Sequence, residues 1–339
     1  MVKALQLSLV SLIVSLMFAL QVNQAIAGAP ASFPPTTQPI GPDDADYQLG
    51  LQAGRKQNYI QAIDYYQKAA AAGNSSAMTR IGLLYQYGLG VTQDYSKAMA
   101  WYQKAAAHGN TYAMCFIGDL YGQGLGVTKD YVQAMTWFQK AAEARNTLGM
   151  LRIGWLYQSG HGVVQDYHQA MTWYQKAQAY GSTDAMCFIG ELYGQGLGVP
   201  QDFQKAMAWY QKAALAGNPT GMFRIGWFYQ FGRGVPRDSQ QALAWYHKAA
   251  AAGNPLAMVQ IGRMYQSGNG VTQDYQQAMA WFQKAAALGN NNAMLGIGLL
   301  YEHGNGVPVD LDKAREWLEK SAKLGNMLAK NELAKLSNE

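Results

Sequence analysis

Seven aspartates, Asp94, Asp130, Asp166, Asp202, Asp238, Asp274 and Asp310, recur every 36 residues, and a fixed row of carboxylates is the first feature here that could do chemistry. Carboxylates hold hard cations when several converge on one point. No histidine or second carboxylate travels with this row, so the spacing predicts helix caps rather than metal ligands. The five histidines, His108, His161, His168, His247 and His303, lie at unrelated registers and form no HExxH pattern. No Ser-x-x-Lys occurs, which removes the acylating serine of penicillin-recognising enzymes. The GQGLG runs at Gly122 and Gly194 lack the strand and lysine of a phosphate loop, and turn chemistry accounts for them. Cys115 and Cys187 stand two repeats apart, on the order of 20 Å for helices packed about 8 to 10 Å from one another. A disulfide needs Cα atoms within about 7 Å, so both cysteines are expected to be small apolar core residues. No catalytic residue, metal or cofactor is predicted.

The tryptophans carry more. Seven of the nine, Trp101, Trp137, Trp173, Trp209, Trp245, Trp281 and Trp317, share one register and are predicted to be core. Trp155 and Trp227 occupy a different register, held elsewhere by Leu83, Asp119, Glu191, Arg263 and Leu299. A position that accepts such different residues is expected to face solvent, together with the variable registers of Arg80, Gln86 and Tyr87 at helical spacings of three and four. The resulting candidate partner-binding residues are Arg80, Phe116, Asp119, Arg152, Trp155, Gln158, Phe188, Glu191, Arg224, Trp227, Gln230 and Arg263. Trp and Arg dominate binding interfaces. Each Trp would cover an apolar side chain of a protein or peptide segment, and each Arg would meet a carboxylate or carbonyl. In the alternative reading, duplication copied two surface residues, or each Trp packs onto its neighbour's Phe.

The elements that must position these residues repeat without insertion. Ala77-Met78 returns as Ala113-Met114, Gly149-Met150, Ala185-Met186, Gly221-Met222, Ala257-Met258 and Ala293-Met294. A fixed period of this size signals a solenoid. Within one period, Met78, Ile81 and Leu84/Tyr85 lie at helical spacing, as do Tyr95, Ala98/Met99, Tyr102 and Ala105/Ala106, so each unit is a pair of amphipathic helices. Gly88 and Gly90 end the first helix, Val91 is expected to plug the turn, and Asn or Ser at Asn110, Asn146, Ser182, Asn218, Asn254 and Asn290 caps the next unit. Pro219 and Pro255 suit the first helical position. Gly82 and its equivalents, each costing about 1 kcal/mol inside a helix, predict the close approach of another backbone. Thr111 to Gly126 and Thr183 to Gly198 differ at two of sixteen positions, the mark of a duplicated 72-residue block.

Residues 1–27 read as a secretory signal, with Lys3, an apolar run from Leu5 to Leu20 and Ala25-Ile26-Ala27 before the cut. Removing Lys3 lowers the formal net charge of +5 to about +4, too mild and with Lys and Arg too scattered to predict nucleic-acid binding. No membrane span is expected after cleavage. A proline-rich lead-in follows at 28–43, then a degenerate capping repeat at 44–74. Seven repeats follow at 75–110, 111–146, 147–182, 183–218, 219–254, 255–290 and 291–326, and a capping helix at 327–339 ends the chain.

The recurring AMxxIGxLYxxGxGVxxDYxKAMxWYQKAAxxGN closely resembles the Sel1-like repeat, a relative of the tetratricopeptide repeat. The resemblance implies an all-α, right-handed α/α superhelical solenoid whose first helices line a concave groove. It implies a non-catalytic scaffold, often exported in bacteria and acting in the periplasm, at the envelope or on host cells. The cysteine-rich subgroup, to which a weak β-lactam-hydrolysing activity is attributed, carries a Cys pair in each unit, and this chain does not. A wall-acting or β-lactam-acting hydrolase, or a glycan-binding envelope protein, is the alternative function.

Overall fold

The computed structural model describes residues 43–336, which divide at Tyr180/Gly181 into two compact units. The expected signal segment and nearly all of the proline-rich lead-in lie outside the described residues. Among those residues there are seventeen helices and no strand. The first unit holds α1 (Asp43–Arg55), α2 (Tyr59–Ala71), α3 (Ser75–Tyr87), α4 (Tyr95–Ala107), α5 (Thr111–Gln123), α6 (Tyr131–Glu143), α7 (Thr147–Ser159) and α8 (Tyr167–Ala179). The second holds α9 (Thr183–Gln195), α10 (Phe203–Leu215), α11 (Pro219–Phe231), α12 (Ser239–Ala251), α13 (Pro255–Ser267), α14 (Tyr275–Ala287), α15 (Asn291–His303), α16 (Leu311–Lys323) and α17 (Met327–Leu336). Within each unit every odd-numbered helix packs on the even-numbered one after it, and that one on the next odd-numbered helix, so both units are all-α solenoids of helix pairs. No helix among the described residues is long and apolar enough to cross a membrane.

Local chemistry sets the helix ends. Asp94 Oδ1 accepts the Lys97 N–H at 2.9 Å, and Asp130, Asp166, Asp202, Asp238, Asp274 and Asp310 cap their helices in the same way. The Asp94 N–H donates to the Tyr85 carbonyl at 2.9 Å, so one residue closes the loop after α3 and opens α4. The Asn caps of the odd-numbered helices reach further. Asn146 Oδ1 accepts the Gly149 N–H at 3.1 Å, while its Nδ2 donates to Thr111 Oγ1 of the preceding repeat at 2.8 Å. Cys115 is buried and donates to that same Oδ1 at 3.6 Å, as Cys187 does to Asn218 at 3.5 Å. Burial pushes both thiols well above their usual range.

One sequence expectation about packing is met in part and another is corrected. The helical glycine meets first a core side chain of the next helix: a Cβ on Gly82 would lie 2.4 Å from Tyr102 Cε1, one on Gly118 2.5 Å from Phe138 Cε1 and one on Gly298 2.8 Å from Leu318 Cγ. The expected backbone lies close as well at Gly190, Gly226 and Gly298, whose Cβ would stand 3.2, 3.1 and 3.3 Å from the carbonyl oxygens of Ala206, Ala242 and Ala314. A tighter backbone approach occurs at the second turn glycine. Gly90, at φ +69°, would place a Cβ 2.8 Å from the Tyr59 carbonyl carbon, so this left-handed residue lays its loop on the start of α2, one repeat earlier. The seven tryptophans of the common register are half-buried, not core. Adjacent residues on a helix point about 100° apart. The residue after each Trp fills the core instead, with Tyr102, Tyr174 and Tyr246 fully buried.

Each half-buried Trp is roofed by the lysine three residues on. In the first unit Nζ stands 4.5 Å from the ring centroid for Lys104 over Trp101, 4.3 Å for Lys140 over Trp137 and 4.6 Å for Lys176 over Trp173. In the second it stands at 4.3, 4.1, 4.2 and 4.4 Å for Lys212 over Trp209, Lys248 over Trp245, Lys284 over Trp281 and Lys320 over Trp317.

Candidate partner-binding face

The variable registers of the odd-numbered helices do fall on one face, but much of it is closed. Arg80, Leu83, Gln86, Asp119, Gln158 and Glu191 are buried. Phe116, Arg152, Trp155, Phe188, Arg224, Trp227 and Gln230 are half-buried, and Arg263 is exposed. The expectation that a register shared by Asp, Glu, Arg and Trp must face solvent therefore fails at its acidic members.

The reason is a partner 33 residues further on. In the first unit Arg152 Nε lies 2.9 Å from Asp119 Oδ1 and its Nη2 3.3 Å from Oδ2, a two-pronged pair between α5 and α7. In the second, Arg224 Nη2 lies 3.3 Å from Glu191 Oε1 between α9 and α11, and Gln195 Nε2 donates to the same oxygen at 2.8 Å. Burial raises the Asp119 carboxyl above its ordinary range, against the pull of Arg152. Burial works against the Arg224 charge as well, but Glu191 and Tyr210 outweigh it and hold that guanidinium above its usual value. Paired charges of this kind belong to the joint between first helices, so Arg152 and Arg224 are not open forks awaiting a partner's carboxylate.

The glutamine register is also internal. Tyr102 and Tyr174 donate their hydroxyls to Gln86 Oε1 and Gln158 Oε1 at 2.6 and 2.7 Å, and Tyr246 donates to Gln230 Oε1. Each bond locks a first helix to its own second helix. Phe116 packs on Tyr102 with ring centroids 5.3 Å apart. Arg80 is buried near Tyr66, whose hydroxyl burial pushes up to about 12 against the opposing charge of Arg80.

Besides the exposed Arg263, the half-buried tryptophans remain, each with an aromatic neighbour. In the first unit Trp155 stacks on His161, 5.1 Å between centroids and 11° between planes, and Tyr131 covers His161 at 4.7 Å. Burial and the Lys129 charge lower the His161 pKa, which favours the neutral ring between its two neighbours. In the second unit Trp227 leans on Phe231 at 4.9 Å, and Phe231 is 53% exposed. Arg233 stands 5.5 Å over the ring of Phe203 nearby. Neither His161 nor Phe231 is among the sequence candidates. Both lie within six residues of a Trp that is, so proximity along the chain was the available signal. Among the described residues no three His, Cys, Asp or Glu side chains are grouped to hold a metal ion.

The Sel1 repeat family matches at residues 43–74, 75–110, 111–146, 147–177, 183–218, 219–254, 255–290 and 291–326. A protective antigen of uropathogenic Escherichia coli with an SLR fold is 32% identical, with a TM-score of 0.51 over 87% of this chain and 64% of that one. The chain thus spans somewhat under two thirds of that antigen. A Sel1 repeat protein of Oxalobacter formigenes is 36% identical, with a TM-score of 0.59 over 71% of this chain and 99% of that one. Yeast Tom70, at 14% identity and a TM-score of 0.60 over 94% of this chain and 68% of that one, shares the fold alone. No curated protein matches the sequence.

Proposed function

From the premise that the chain belongs to the Sel1 repeat family, whose fold generally serves as a protein-interaction scaffold, we propose that it is an exported, non-catalytic scaffold that holds partner proteins by apolar anchors on its odd-numbered helices. The observation that carries this reading is the state of the polar groups beside Trp155 and Trp227. Arg152 and Arg224 are already paired with buried carboxylates, so each Trp stands on a surface whose charges are satisfied. Such a surface loses little on desolvation when an apolar side chain covers it, which is the setting in which interface tryptophans contribute most. One anchor, Trp155 with His161, lies in the first unit; the other, Trp227 with Phe231, lies in the second. The partner segment would bring exposed aliphatic or aromatic side chains, in an extended or helical segment lying in the groove that the family resemblance places on this face. Export rests on the signal-like residues 1–27. The description of the E. coli relative as a protective antigen supports an envelope or host-facing setting.

The test is affinity capture from envelope extract, and from host lysate where the source cell has a host, with the full mature chain and with Trp155→Ala and Trp227→Ala variants. A partner retained by the parent should be weakened by each variant by about 2 kcal/mol or more, roughly thirtyfold. Both variants must melt like the parent by circular dichroism. Equal retention by the parent and both variants overturns the placement of the site.

A further inference from the structure

We propose that within each unit the even-numbered helices form a second binding surface, for a linear anionic polysaccharide. The six lysines Lys104, Lys140, Lys176, Lys212, Lys248 and Lys284 each lie over an indole face, three in each unit. None of the six forms an ion pair among the described residues. The six helices that carry them, α4, α6, α8, α10, α12 and α14, hold a single carboxylate between them, Glu143. The capping aspartates do not neutralise the lysines. Asp94 and Lys104 stand ten residues apart along α4, about 15 Å at 1.5 Å per residue, beyond the screening length of about 8 Å at physiological salt.

A lysine near a helix C-terminus is explained by the helix dipole, and its stem by packing on the Trp. Neither requires carboxylates to be scarce along six successive second helices. The last pair shows what happens where they are not: on α16, Lys320 meets Glu316 at 2.6 Å, with Asp312 and Glu319 on the same helix. On that helix the lysine is no longer free of carboxylates. The residue before each lysine adds hydrogen-bonding capacity, as with the exposed Gln103, Gln139 and Gln175.

Each rung therefore offers an ammonium resting over an indole face, with an amide beside it in five of the six and His247 in its place beside Lys248. The ammonium suits a carboxylate or sulfate on the chain, the amide its hydroxyls, and the indole plane, once the ammonium swings from it to the anion, the C–H face of a sugar ring. The six rungs use lysine only, without the planar arginine fork that phosphate and nucleic-acid recognition favours. This surface shares no side chain with the tryptophan anchors of the odd-numbered helices.

The experiment titrates full-length protein with polygalacturonate, followed by calorimetry and by tryptophan fluorescence, at two salt concentrations. Saturable binding that weakens with salt and shifts the fluorescence, as the ammonium leaves the ring for the ligand, is the expected result. The K104Q/K140Q/K176Q variant should bind at least tenfold more weakly. If that triple variant melts below the parent, K140Q alone is read in the same titration, with a smaller loss expected. Trp227→Ala, on the other helix set, should bind polygalacturonate as the parent does, which separates this surface from the protein-binding face. No binding to polygalacturonate, or binding indifferent to the lysine changes, overturns the proposal. So does equal, lysine-dependent binding of polyuridylate or of phosphatidylglycerol vesicles, because the surface would then be a general anion field.

Discussion

The stretch Thr111–Tyr180 in the first unit and its copy Thr183–Ala252 in the second are nearly the same sequence at their starts, yet they handle one buried carboxylate differently. Asp119 meets Arg152 with both oxygens, whereas Glu191 meets Arg224 with one and shares it with Gln195. The extra methylene of Glu changes where the oxygens arrive, and a neighbouring amide takes up the difference. Around the adjoining Trp the copies diverge: His161 stacks on Trp155 and is itself covered by Tyr131, while Phe231 and Phe228 flank Trp227. The joint has kept its chemistry while the surface beside it has changed.

The largest expected effect comes from leaving a carboxylate buried alone. Arg152→Met should destabilise the first unit by about 3–5 kcal/mol. Arg224→Met should cost the second unit less, because Gln195 still donates to Glu191. Urea unfolding followed by circular dichroism, with phases fitted separately because repeat arrays lose two-state behaviour, reads both. Equal losses would erase the distinction between the copies. Replacing the first pair outright, as Asp119→Leu/Arg152→Met, should come back near the parent.

Next come the glycines. Gly154→Ala would set a Cβ 2.4 Å from Tyr174 Cε1, and Gly226→Ala one 2.8 Å from Tyr246 Cδ1. Overpacking should cost about 1–3 kcal/mol at each site, more at Gly154, in spite of the helix propensity that alanine gains. A rise in melting temperature for either variant would show that the ring moves freely. Smaller still, Tyr174→Phe should lose about 1 kcal/mol with its bond to Gln158. Phe138→Tyr should gain nothing, since Gly122 stands where that glutamine would be.

The smallest effect concerns pH. The Asp119 carboxyl is raised on folding, so its contribution to stability is complete below the unfolded value of about 3.9 and declines as pH rises through the higher folded value. The melting-temperature difference between parent and Asp119→Asn should therefore narrow from pH 4 upward. Asp94 and Asp202, lowered by their capping hydrogen bonds, act in the opposite sense and lose their contribution as pH falls. A difference that widens with pH would mean that the Arg152 pair outweighs burial.

Helix pairs, both rows of caps and the paired turn glycines were legible in the sequence because each is settled within a few residues. An Asp Oδ1 reaches an N–H two or three residues on, and a left-handed turn requires Gly where it occurs. The face was harder. Variability at the register of Asp119 read as exposure because the compensating Arg152 lies 33 residues later, in the next copy. Aligning that offset across the repeats would have shown acid opposite Arg at 119/152 and again at 191/224.

The sequence by itself determined the period, the helices and their ends, since propensity, capping and backbone sterics act along a short stretch of chain. Only the tertiary structure decided which member of each Trp-Tyr or Trp-Phe pair enters the core, what the helical glycine faces and whether a charge is open or paired. Those outcomes depend on which atoms of the neighbouring helix occupy the space, and burial turns a surface charge into one that must find its partner there.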